Sequence, residues 1–140
     1  MTAGEILKIN FIFIVTFFTF ASYSLSNELV KKYKYCIGAY ETIYEFLENY
    51  QTDSKEKKVK LNKLKRKINN LEVDSEYYNN EICYDSTNNE CTYIVVNESL
   101  KGWSEGYFKW IDLLYNDKKP ITDKEFSREI DKLNKYCREI

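Results

Sequence analysis

The sequence predicts an all-α protein: two disulfide-stapled helical hairpins packed as a small four-helix domain. Three observations carry that reading. Glycine and proline number only four and one in 140 residues, too few for a turn-rich β protein. Apolar residues recur at steps of three and four through four separate segments. Four cysteines divide the chain into two nearly equal spans, with 46 residues between Cys36 and Cys83 and 45 between Cys91 and Cys137.

Residues 1–26 are read as a secretory signal peptide preceding the domain. "MTAGEILK" leads into the mostly apolar run "INFIFIVTFFTFA" and then "SYSLS", which places Ser24 and Ser26 before a cut at Asn27. The run is short for a bilayer span, which disfavours the alternative of an uncleaved anchor. The expected product is a secreted, extracellular domain of residues 27–140 with no stable membrane insertion.

The first helix is expected from Asn27 to Tyr50, with Leu29, Tyr33, Cys36, Ile37, Tyr40, Ile43, Tyr44, Leu47 and Tyr50 on one face. "NYQTDSKE" interrupts it, and Asp53 with Glu56 resembles a capping box. The second helix then carries Leu61, Leu64, Ile68 and Leu71. "YIVV", Tyr93 to Val96, is β-prone but isolated. Asn97 is expected to cap a third helix bearing Leu100, Trp103, Tyr107, Trp110 and Leu114. Pro120 bars its continuation, and Thr122 with Glu125 forms a second capping box. The last helix shows Phe126, Ile130, Leu133 and Cys137 at steps of four, three and four.

An even cysteine count in a secreted chain implies two disulfides. Each cysteine span reads as helix, polar loop, capping signature and second helix. The domain is therefore expected to comprise two repeats, about 27–83 and 91–140, joined by 84–90. In an antiparallel hairpin the start of one helix lies beside the end of the next, which favours Cys36–Cys83 and Cys91–Cys137. The rival pairing, Cys83–Cys91 with Cys36–Cys137, ties the chain's ends together and suits a four-helix bundle equally well.

The chain has no histidine and no Cys-x2-Cys spacing, so neither a metal nor another cofactor is expected. Lacking the commonest general base, with its cysteines assigned to disulfides, it is read as a protein without catalytic residues, not an enzyme. A net charge of −1 excludes a polyanion binder by bulk charge. One basic run stands out, "SKEKKVKLNKLKRK". Its Lys57, Lys58, Lys60, Lys63, Lys65, Arg66 and Lys67 are candidates for binding nucleic acid or another polyanion, against the plainer reading of a solvated helix face.

Aromatic residues make up 16% of the chain, with 13 tyrosines, which argues for a folded domain. Trp103, Tyr107 and Trp110 share one helical face, where core packing is expected. Tyr35, Tyr77 and Tyr78 fall off the apolar stripes and are candidate partner-binding residues. A small ligand held among Trp103, Tyr107 and Phe126 is the alternative use of the bundle core. Asn97-Glu98-Ser99 is a glycosylation sequon.

The signal peptide, the tyrosine-rich helical chain and the two cysteine-tyrosine-cysteine units, with Tyr50 and Tyr115 as the candidate tyrosines, resemble the bicycle family of aphid secreted proteins. The resemblance covers residues 27–140. It implies a salivary effector delivered into host plant tissue, whose partner is a host protein.

Overall fold

The structure, a computed structural model, describes residues 27–49, 54–83, 89–116 and 120–140. The signal segment, Tyr50 and the expected cap Asp53 lie outside the described residues. Those described form four helices and no strand: α1 (27–49), α2 (Lys55–Cys83), α3 (Asn89–Leu114) and α4 (Asp123–Tyr136).

Local chemistry sets the helix starts. Ser54 caps α2, its hydroxyl accepting from the Lys57 N–H at 3.1 Å, and Glu56 adds a carboxylate to the first turn. The Thr122/Glu125 capping box opens α4 as the sequence predicts. The Glu125 N–H donates to the Thr122 hydroxyl while the Glu125 carboxylate accepts from the Thr122 N–H. A cap of this kind contributes about 1 kcal/mol.

Helix α3 corrects the expectation at its start. Tyr93 to Val96 are helical, Asn97 lies mid-helix rather than at a cap, and Asn89 and Glu90 belong to α3 rather than to a connector. Cys91 and Val95 are buried against Val30 and pack with Cys83, so tertiary burial overrides the β-propensity of the run.

The first helix is the centre of the bundle. Its Cys36, Ala39, Tyr40, Ile43 and Leu47 form the main core with Trp110 and Leu114 of α3 and Leu133 of α4. Leu61, Leu64, Ile68 and Leu71 of α2 close over that core, as do Phe126 and Ile130 of α4. Helices α1 and α2 run antiparallel: Tyr33 meets Tyr78, while the Lys57 ammonium donates to the Glu48 carbonyl at 2.8 Å. Helix α4 also opposes α1, with the Tyr40 hydroxyl donating to Asn134 Oδ1 at 2.9 Å and Phe46 packed against Phe126.

The disulfides are Cys36–Cys137 and Cys83–Cys91, so the favoured pairing of Cys36 with Cys83 and Cys91 with Cys137 is overturned. The hairpins are not stapled internally. The reason is the length of α2. Its last residue, Cys83, is level with Val30, and Cys36 lies six residues further along α1, about 9 Å at 1.5 Å per residue. A disulfide needs Cα atoms about 6 Å apart. By contrast, α4 has 14 residues and ends where Tyr136 meets Tyr35, which brings Cys137 level with Cys36 at a Cα separation of 6.0 Å.

Helix α3 runs parallel to α1 and touches it backbone to backbone. A Cβ on Gly102 would collide with the Lys31 carbonyl, one on Gly106 with the Tyr35 carbonyl, and one on Gly38 with the Trp103 carbonyl. The Gly-x-x-x-Gly spacing puts Gly102 and Gly106 on one helix face, and only glycine permits an approach this close. Thr42 is fully buried at the contact, its hydroxyl donating to the Gly38 carbonyl of its own helix at 2.9 Å and lying 3.4 Å from the Tyr107 carbonyl of α3.

Candidate functional site

The close α1–α3 contact decides which face of α3 is buried. Cys91, Val95, Gly102, Gly106, Trp110 and Leu114 follow steps near 3.6 and face inward. A second apolar stripe is left outside. Tyr93, Val96, Leu100 and Phe108 are 69%, 48%, 61% and 62% exposed, and Trp103 and Tyr107 are half-buried beside them. The stripe is about 22 Å long at 1.5 Å per residue.

This corrects the assignment of Leu100, Trp103, Tyr107, Trp110 and Leu114 to one core face. Only Trp110 and Leu114 are buried. Trp103 stacks on Tyr107 at 4.8 Å, and its indole N–H donates to the Glu41 carboxylate at 2.5 Å. The Lys31–Glu105 ion pair, at 2.9 Å, links α1 and α3 on the flank that faces α4, and the Glu105 carboxylate holds the Lys31 ammonium above its ordinary pKa. The outer face thus presents aromatic and aliphatic side chains, with the Glu41 carboxylate engaged at its edge by Trp103. That composition suits a protein interface.

The tyrosines singled out in the sequence separate into three environments. Tyr77 is exposed, its hydroxyl donating to Glu81 Oε1 at 3.3 Å, and the Glu81 charge pushes its pKa up. Tyr78 is half-buried, packed against the buried Tyr33 at 5.5 Å, so part of its role is structural. Tyr35 is also half-buried. It packs edge-on against Tyr136 at 5.4 Å with the Lys109 ammonium over its ring, and lines a groove of about 490 Å³ between α3 and α4. Tyr115 packs edge-on against Phe46 at 5.6 Å.

The basic run of α2 does not form one face. At 100° per residue its members spread around most of the helix circumference. Lys58, Lys65 and Arg66 are exposed, Lys60 is ion-paired with Glu56 at 2.8 Å, and the Lys57 ammonium donates to the Glu48 carbonyl. Lys60, Lys63 and Lys67 turn toward α4 and line a groove of about 510 Å³ whose floor is α1. Phe126 lines that groove, whereas Trp103 and Tyr107, stacked on each other on α3, do not.

Asn97 is exposed on α3, three residues from Leu100 and four from Tyr93. Among the described residues no helix is long and apolar enough to cross a membrane. The outer stripe escaped the sequence reading because glycines carry no hydrophobic signal. With Gly102 and Gly106 uncounted, the neighbouring stripe looked like the core.

Compared with known proteins, the chain matches no family model, no curated relative and no solved structure.

Proposed function

We propose that this is a secreted protein that acts by stoichiometric binding of a host protein, without turnover, and that the outer face of α3 is its docking surface. The single observation that carries the reading is the second apolar stripe on a helix whose other face already fills the core. A straight helix with anchors at 93, 96, 100 and 107/108 fits the helix-in-groove mode, in which a partner's apolar groove takes residues at i, i+3, i+7 and beyond. Leu100, at mid-stripe, and Phe108, at its C-terminal end, are the main anchors, and Tyr93 adds contact area at low entropic cost. The two disulfides and the lack of a membrane-crossing helix among the described residues are compatible with an extracellular role. The resemblance to the bicycle effectors supports plant tissue as the setting. A polyanion-binding role for the α2 lysines is less well supported, because they point in several directions. A glycan on Asn97 would shade the stripe, so we take the active form to be unmodified there.

Binding of a purified host partner tests the proposal. Leu100→Asp and Phe108→Asp, both at exposed positions, should weaken it at least tenfold while leaving the thermal midpoint unchanged. Lys65→Ala and Arg66→Ala should leave it within twofold. The opposite pattern, with affinity collapsing as salt rises, would transfer the function to α2. A concentration-dependent dimer abolished by Leu100→Asp would show that the stripe is covered by a second copy of the chain instead.

A further inference from the structure

The groove between α2 and α4 has the construction of a ligand site independent of α3. Its floor is apolar, formed by Ile43, Leu47, Leu64, Phe126 and Ile130. One end is polar. There Asn134 Oδ1 accepts from both the Lys67 ammonium, at 2.5 Å, and the Tyr40 hydroxyl, at 2.9 Å. With its oxygen engaged twice, the Asn134 side chain has only its amide N–H groups left to offer. Lys67 also lies over the Tyr40 ring at 5.0 Å.

Among the described residues neither Lys63 nor Lys67 is ion-paired. Partial burial, with the positive charges of Lys63 and Arg138 nearby, holds the Lys67 pKa below the ordinary lysine value. Burial pushes the Tyr40 phenol up to about 12, so it remains a proton donor at physiological pH. Two carboxylates, Asp123 and Asp131, line the α4 side, and neither is within ion-pair distance of Lys63 or Lys67. The groove therefore pairs two lysines held in no ion pair with an apolar trough. From the level of Asn134 to that of Phe126 it runs eight residues of α4, about 12 Å.

We propose that this groove binds a small amphipathic carboxylate of medium chain length, its head held by Lys63, Lys67 and the Asn134 amide and its apolar body laid over Ile43, Leu47 and Phe126. The volume, about 510 Å³, lies within the range of small-molecule sites. Carboxylate is the head group of choice because its single charge suits a groove that also carries Asp123 and Asp131, and its two oxygens can each accept more than one bond from the two ammoniums and the amide. The chain-length limit follows from the trough.

Calorimetric titration with octanoate, octanamide, octyl phosphate and acetate tests the proposal on the oxidised domain. Octanoate should bind in the micromolar to submillimolar range, with octanamide and acetate at least tenfold weaker. In NMR spectra of the unaltered protein, octanoate should raise the Lys67 ammonium pKa and shift resonances of Phe126 and Ile130. Lys67→Met and Lys63→Met should each weaken binding at least threefold. Because Lys67 bonds to Asn134, the Lys63 variant and the NMR readout keep the test valid if Lys67→Met does not fold. Equal binding of octanamide, equal binding of acetate, tighter binding of octyl phosphate, or no octanoate binding at millimolar concentration would overturn the assignment.

Discussion

Gly106→Ala should lower the stability of this domain by about 3 kcal/mol, the upper end of the usual range for overpacking. In an exposed helix the same change would add up to about 1 kcal/mol by propensity alone. Here the new methyl would meet the Tyr35 carbonyl and the Ala39 N–H, the latter at 3.1 Å, and neither is the end of a flexible side chain. Two helix backbones would have to separate, and they carry Cys36, Ile43 and Trp110 of the core with them. At about 4 °C per kcal/mol for a domain of this size, the thermal midpoint should fall by about 12 °C. Gly102→Ala, against the Lys31 carbonyl, should behave alike. Ser104→Ala, on the outward side of the same helix, should shift the midpoint by no more than about 2 °C. A Gly106→Ala domain at least as stable as the parent would show that α1 and α3 do not meet as described.

Removing Cys36–Cys137 should cost more than removing Cys83–Cys91. The first closes 101 residues of chain and the second eight. In the chain-entropy model those loops are worth about 4.7 and about 2.5 kcal/mol respectively. Cys36 is also fully buried, so Cys36→Ala leaves a gap beside Tyr40 and Leu133 that adds to the loss. The double variant Cys36→Ala/Cys137→Ala should therefore be largely unfolded near 37 °C, whereas Cys83→Ala/Cys91→Ala should retain cooperative melting at a lower midpoint. Equal losses from the two double variants would contradict the pairing, and a Cys36–Cys83 peptide in a non-reducing digest would refute it.

What was legible in the sequence was the pattern that periodicity and caps record. Leu61, Leu64, Ile68 and Leu71 lie where α2 meets the core, Leu133 is buried, and Thr122 and Glu125 open α4 with both hydrogen bonds made. Disulfide connectivity was not legible, because equal cysteine spacing says nothing of helix lengths. The helix that closes the first span has 29 residues and the one that closes the second has 14, and that inequality sets which cysteines come level. The inner face of α3 was hidden for another reason. Its packing rests on the absence of side chains at Gly102 and Gly106, a close-approach signal that hydrophobic periodicity does not contain. Thr42 and Ser75, both fully buried, were equally invisible as core residues, since polar types rarely occupy such sites.

The α2 lysines show the opposite limit. Composition found them, but the direction of each depends on its angular position relative to Leu64 and Ile68. Lys67 ends against Asn134 and Tyr40, while Arg66, its neighbour, faces solvent. A run that reads as one charge feature is therefore divided between a solvated exterior and a groove.

Site-specific photo-crosslinking distinguishes docking of a host protein on the outer stripe of α3, as proposed, from docking on α2. A photoreactive phenylalanine analogue at position 100 and, separately, at position 66 would be introduced into the oxidised domain, and each would be irradiated with the purified partner. Docking on α3 should give a covalent adduct from position 100, suppressed by excess unlabelled domain, and none from position 66. An adduct from position 66 with none from position 100 would contradict it.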